Sequence, residues 1–305
     1  MEKSNKLYTT TWFITLGALL CCALWGSATP FIQLGYKLML SPEKDVPSTM
    51  LFAGTRFTMA GIITVIIYSI GRRKFLLPKK GNWGKIAIVS CFQTVVQYIF
   101  FYVGLANTSG VKGTIASSSS SFFAMLIACL LFRQEKLTFK KIFACILGFG
   151  GIILVNLNGL DFNMNFMGDA FVIFSAIASA ASSVLMKSYS KDEDPVVISG
   201  YQFIMGGLVM MAIGLLFGGS IHVTSLQAVG VLIYLAFLSA IAYAVWGILL
   251  KHNPVSKVTI FSFTIPVFGV ILSVLMLGDT INPMNLLITL LLVCSGIILL
   301  NHKKA

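Results

Sequence analysis

The sequence predicts an all-α integral membrane protein: ten transmembrane helices arranged as an inverted 5+5 repeat, with both termini cytoplasmic. Three observations predict it. Apolar runs of membrane-crossing length recur ten times, Lys and Arg fall almost wholly on one side of them, and short motifs recur about 145 residues apart. Composition sets the class. The 305 residues are 57% hydrophobic and 10% charged, with a mean hydropathy of +0.91, against about 25% charged for a soluble domain. A formal charge of +12 would suggest nucleic acid in a soluble chain. Here the basic residues sit in short loops between apolar runs and act as topology determinants, so no nucleic-acid partner is expected.

The runs cover 12–39, 49–69, 84–105, 113–132, 139–157, 168–187, 196–217, 226–249, 257–277 and 283–300. Each is long enough to cross about 30 Å of hydrocarbon as a helix. Backbone groups in lipid must be satisfied internally, which leaves helices or a closed barrel, and period-2 alternation is missing for a barrel. The first run exceeds the roughly 7–15 residues of a signal-peptide core and is read as a first span. With a cytoplasmic N-terminus, eighteen of the 22 Lys and Arg fall in cytoplasmic segments, including Lys3, Lys6, Lys303 and Lys304. Lys37, Lys44 and Lys112 lie opposite, and Arg56 is left inside a span. That bias sets the orientation. Six cysteines lie in apolar runs without a CxxC, so no disulfide framework, metal site or cofactor is expected.

The clearest repeat pairs Gly54–Gly61 (Gly-Thr-Arg-Phe-Thr-Met-Ala-Gly) with Gly200–Gly207 (Gly-Tyr-Gln-Phe-Ile-Met-Gly-Gly). Arg56 of the first copy becomes Gln202 in the second. Gly151–Asn156 recurs as Gly296–Asn301, Lys112–Ile115 recurs as Lys257–Ile260, and Glu135 roughly matches Asp279. Five helices per copy is an odd number, so the second copy inserts upside down. Residues 1–157 form the first repeat and 158–305 the second. Inverted repeats are the architecture of many secondary transporters, with the substrate site near the midplane.

Trp25-Gly26-Ser27 in helix 1, Arg56-Phe57 in helix 2, Gly168-Asp169 opening helix 6 and Pro266 through Leu277-Gly278-Asp279 in helix 9 resemble the EamA-type drug/metabolite transporter superfamily. The likeness covers essentially the whole chain. Two features depart from the pattern: helix 4 has Ser117–Ser121 in place of a proline, and helix 9 ends in Asp279 where glutamate is usual. The resemblance implies a multi-pass carrier of the plasma (cell inner) membrane, usually exporting amino acids or other small metabolites. Relatives in the superfamily also move nucleotide sugars and sugar phosphates, so substrate does not transfer with the fold.

Candidate site residues follow helix by helix. Helix 1 presents Trp25, Thr29 and Gln33 at i, i+4, i+8, a polar face that suits a cavity wall, and Pro30 interrupts it as a gating point. In helix 2, Arg56 lies about seven residues in, roughly 10 Å deep. Its guanidinium fork would bind a carboxylate or phosphate. The structural alternative, favoured at that depth, is snorkelling to the interface or pairing with a loop carboxylate such as Asp279. Helix 3 offers Gln93, Gln97 and Tyr98, with Tyr102 read as an interfacial belt residue. Helix 4 offers Ser117 and Ser121, helix 8 Tyr243 and Trp246, and helix 9 Ser262, with Pro266 as a second gating point. The four-residue stripe Ser175, Ser179 and Ser183 in helix 6 reads as helix packing.

Function follows from what these groups can and cannot do. The expected activity is secondary transport of small metabolites, amino acids or related compounds foremost and outward in direction, by alternating access. A nucleotide-sugar or organic-phosphate exchanger of the same fold is the alternative. All ten acidic residues fall in loops or at helix ends, Asp169 and Asp279 among them, so no buried proton relay is visible. An enzyme would need deep acid–base or metal-ligating groups, a channel a charged ring or filter, and an ATP-driven pump a phosphate-binding loop; the sequence has none of these. The expected partners are the lipid bilayer and a small-molecule substrate, with the chain a monomer or homodimer.

Overall fold

The computed structural model describes residues 7–41, 45–156, 165–277 and 283–301. Lys3, Lys6, Lys44, Gly278, Asp279, Lys303, Lys304 and the repeat boundary expected at 157 lie outside the described residues. The described residues are mostly helical and contain no strand. In chain order the helices are α1 (Thr11–Met39), α2 (Val46–Arg72), α3 (Trp83–Ala106), α4 (Gly110–Leu131), α5 (Phe139–Val155), α6 (Phe166–Tyr189), α7 (Pro195–Leu216), α8 (Leu226–His252), α9 (255–277) and α10 (Pro283–Asn301). Nine are long and apolar enough to cross a membrane; α5, with 17 residues, falls just short of that length.

α2 and α4 begin about a turn earlier than their apolar runs, and polar residues cap the starts of several helices. Asp45 accepts from Ser48 N at 2.7 Å with Pro47 in the first turn. Ser109, Asn165, Asp194 and Ser225 cap α4, α6, α7 and α8 in the same way. A side-chain oxygen there satisfies an amide that the helix itself leaves unpaired.

The two matching glycine stretches pack against each other. A Cβ at Gly54 would stand 2.8 Å from Gly207 O, and one at Gly61 2.5 Å from Gly200 O. Backbone therefore touches backbone where α2 and α7 cross antiparallel, the small-residue contact that helices in lipid favour. The matched Phe57 and Phe203 stack at this crossing, centroids 5.0 Å apart. The second matched pair behaves alike: Thr289 of α10 donates to Gly151 O of α5 at 3.0 Å, and a Cβ at Gly296 would lie 2.7 Å from Ala144 O.

One end of the bundle is rich in Lys and Arg and tightly tied. Glu193 accepts from Lys79 N at 2.8 Å and from Asn82 Nδ2 at 3.1 Å, Lys85 pairs with Asp192, and Tyr68 donates to Asp194 at 2.7 Å. Glu135 takes Lys141 at 2.7 Å and the Ser256 hydroxyl, while Lys187 caps the carbonyls of Leu250 and Asn253. At the opposite end Asp169 accepts from Thr108 and from Asn165 N (2.9 Å) and faces Lys112 at 3.8 Å. Asp169 is thus tied into the start of α6.

Candidate functional site

Between the helices lies a cavity of about 370 Å³. All twelve residues singled out for substrate line it. Trp25, Thr29 and Gln33 descend from α1, and Arg56 comes from α2. Gln93, Gln97 and Tyr98 come from α3, Ser117 and Ser121 from α4, Tyr243 and Trp246 from α8, and Ser262 from α9. In α3 the backbone widens to i→i+5 winding over Cys91–Val96, and this turn carries Gln93; such local expansions are frequent at functional sites.

Several residues read differently in the sequence join them. Ser175, Ser179 and Ser183 of α6 line the cavity instead of serving only helix packing. Tyr102 is 7% exposed and lines the cavity, so the belt placement is corrected. Tyr36, Ser120 and Ser239 also contribute. A four-residue hydroxyl stripe looks the same in sequence whether a neighbouring helix or a cavity faces it. The two prolines separate. Pro30 is buried inside an uninterrupted α1 and lines neither cavity, so the helix interruption expected there is absent. Pro266 follows a 3₁₀ turn at Ile260–Thr264 and lines the vestibule described below.

Arg56 departs most from expectation. Its helix starts at Val46, which puts it ten residues in, about 15 Å along the axis. It is 3% exposed. A side chain that snorkelled would reach solvent; this one faces the cavity. No carboxylate among the described residues pairs with it, and its Nε has no hydrogen-bond partner there. Its carbon Cζ stands 4.3 Å from the Phe57 ring centroid. The counterpart Gln202 instead accepts from Thr94 at 2.7 Å, away from the cavity. Three more buried polar atoms on cavity-lining residues lack a partner among the described residues: Trp25 Nε1, Gln93 Oε1 and Gln97 Oε1. Buried polar groups are almost always paired, and four such atoms on residues around one cavity make it the candidate site.

The walls divide by chemistry. Trp25 meets Tyr243 and Trp246 edge-on, each at 5.0 Å, and Tyr98 and Tyr243 hydroxyls lie 3.3 Å apart. These rings form one side near Arg56. The serines of α4 and α6 with Thr259 and Ser262 form the other. Among the described residues no Asp, Glu or His lines the cavity. A vestibule of about 910 Å³ shares Thr29, Gln33, Ser117 and Ser262 with it and continues past Gly269 and Thr114 to Ser109 and Asn156. The cavity therefore opens away from the Lys/Arg-rich end. Toward that end Ser121 donates to Thr259 O at 2.7 Å, closing α4 against α9.

Residues 12–157 and again 166–301 match the EamA-like transporter family. Among curated proteins, an Arabidopsis thaliana WAT1-related chloroplastic protein is 25% identical over 85% of this chain and 64% of its own length. This chain thus spans under two thirds of that relative. An uncharacterized transporter of Synechocystis is 25% identical, covering 84% of this chain and 83% of that one. A probable amino-acid metabolite efflux pump of Salmonella typhimurium is 24% identical over 88% of each. A crystal structure with 18% identity superposes with a TM-score of 0.78 over 95% of this chain and 97% of its own, a likeness of fold.

Proposed function

The chain belongs to the EamA-like transporter family, and from that premise we propose that it is a secondary carrier of small carboxylate-bearing metabolites, amino acids or close relatives, working by alternating access. The observation that carries this is the buried Arg56, unpaired among the described residues, inside a cavity open at one end. Its fork takes a carboxylate bidentately. Trp25 Nε1 adds a donor, while the Gln93 and Gln97 oxygens take an ammonium or amide hydrogen. The aromatic side accommodates an apolar side chain. The efflux pump of Salmonella supports export as the direction.

The carrier reading includes ten spans as two inverted repeats, 1–157 and 158–305, both termini cytoplasmic, in the plasma membrane. The reciprocal Gly54–Gly207 and Gly61–Gly200 contacts support the pseudo-twofold relation. The twelve cavity residues named from sequence form the substrate site, and Pro266 beside the 3₁₀ turn of α9 is the gating position. Arg56 would also accept a phosphate, which favours an organic-phosphate carrier as the second reading. Purified protein in proteoliposomes should accumulate labelled amino acids saturably. Silence across amino acids with uptake of phosphate esters selects the second reading, and silence across both sinks the transporter site as drawn.

A further inference from the structure

Among the described residues, two that are not glycine adopt the left-handed backbone region, and both are arginines at the Lys/Arg-rich end: Arg73 (φ 51°) and Arg133 (φ 49°). Each follows the end of a helix. Past α2, Arg73 N donates to Ile70 O at 3.0 Å and Lys74 N to Ser69 O at 3.1 Å. Past α4, Phe132 N donates to Ile127 O at 3.0 Å and Gln134 N to Ala128 O at 2.8 Å. A residue with a Cβ is disfavoured in that conformation, and glycine or asparagine usually ends a helix there. The chain does place glycine at the other two left-handed positions described, Gly81 (φ 92°) and Gly218 (φ 82°). Strain kept twice for the same residue type, at one end of the bundle, calls for a use of the side chain. Membrane orientation does not supply it: the positive-inside rule counts charges in a loop and is met by an arginine one residue to either side.

Both arginines are exposed and form no ion pair among the described residues. Nearby cations are engaged within the protein: Arg72 with Tyr68 and Asp194, Lys85 with Asp192, Lys141 with Glu135. Apolar side chains stand out beside each arginine. Ile70, Phe75 and Leu77 near Arg73, and Leu131 and Phe139 near Arg133, are all at least 60% exposed. The loops that carry them are tied down. Tyr201 donates to Leu76 O at 2.9 Å, Leu76 N to Ser69 Oγ at 3.1 Å, and Gln134 Nε2 to Ser188 Oγ at 2.7 Å. We propose that Arg73 and Arg133 seat the phosphate groups of anionic phospholipids at this end of the bundle, with the flanking apolar side chains against the acyl chains. A guanidinium fork takes two phosphate oxygens. The exposed Lys74 and Lys136 beside the forks favour an anionic headgroup over one that carries its own cation. Neither arginine lines the cavity or the vestibule, so the seats are separate from the cargo site.

The test melts delipidated full-length protein in dodecyl maltoside with added dioleoylphosphatidylglycerol, dioleoylphosphatidylcholine or inorganic phosphate. The phosphatidylglycerol should raise Tm by several degrees through mass action, and the other two should not. Arg73→Gly and Arg133→Gly should each melt no lower than the parent without lipid, because glycine relieves the backbone. Each should nevertheless lose part of the phosphatidylglycerol shift, and the double variant all of it. If a glycine variant does not fold, asparagine at that position takes its place. Lys251→Gln, which removes a cation from the last turn of α8, should keep the full shift. A parent that phosphatidylglycerol does not stabilise, or a double variant that keeps the shift, overturns the proposal. So does an equal shift with phosphatidylcholine or inorganic phosphate. Loss at Lys251→Gln as large as at either arginine would make the effect one of diffuse charge and overturn the seats. Glycine variants that melt lower without lipid would assign the arginines to the fold and overturn them too.

Discussion

At the scale of single residues, the cavity is defined by polar atoms that the protein leaves unpaired. Trp25 is the sharpest case. Its indole N–H is buried and without a partner among the described residues, so its removal costs the folded protein no hydrogen bond seen there, whereas a bound ligand would lose a donor. Trp25→Phe should therefore leave thermal stability within a degree or two while weakening cargo binding by about 1 kcal/mol, roughly fivefold. Isothermal titration beside a thermal melt separates the two, and a stability loss with unchanged affinity would make Trp25 a packing residue only. Arg56 was legible in sequence as the one charge set well inside an apolar run; its full depth was not. The apolar run of α2 starts after its cap, so counting from the run placed Arg56 nearer the surface than Val46 does. Tyr36 and Tyr102 gave no signal, because an aromatic near a helix end has the same composition in a belt as in a cavity wall.

At the scale of helices, the α2–α7 crossing holds the two halves together through glycine. Gly61→Ala drives a Cβ to within 2.5 Å of Gly200 O, a backbone atom that cannot rotate away. Overpacking of this kind typically costs about 1–3 kcal/mol, so the variant should unfold earlier in detergent. Gly230 of α8 has open space around its Cβ position. Gly230→Ala should instead gain about 0.5–1 kcal/mol from reduced backbone entropy. If both substitutions shift stability alike, the contact at Gly61 is not what sets the spacing. The glycine repeats could be seen in the sequence, but that the two copies face each other could not. A small-residue motif states that something approaches closely without stating what.

At the scale of the whole molecule, the two ends differ in how they are held. The Lys/Arg-rich end is closed by carboxylates on short polar ties. Burial alone would raise the Glu135 carboxyl, but hydrogen bonds from Lys141 and Ser256 outweigh it and hold it below the ordinary 4.5. Glu193 is lowered likewise, burial again opposing, by Lys79 N and Asn82. A depressed carboxylate contributes its full stability above its unfolded value and loses it as pH falls through the folded one. The closed end should therefore keep its hydrogen-exchange protection above the ordinary 4.5 and lose it only as pH falls below that value. Glu135→Gln should remove the acid-side change at 132–138. Loss of protection already between pH 5 and 7 would assign control to another group.

The sequence by itself determined the helical membrane class, the positions of the helices to within a turn, the family likeness and twelve of the residues that meet in the cavity. It could do so because lipid permits few backbone arrangements and makes every polar residue in a span conspicuous. Tertiary structure alone decided which helices touch, that the serines of α6 line the cavity, that Arg56 stands unpaired among the described residues, and which end is open. Those depend on contacts between residues far apart in the chain, and helical periodicity fixes the face a side chain occupies without fixing what stands opposite it.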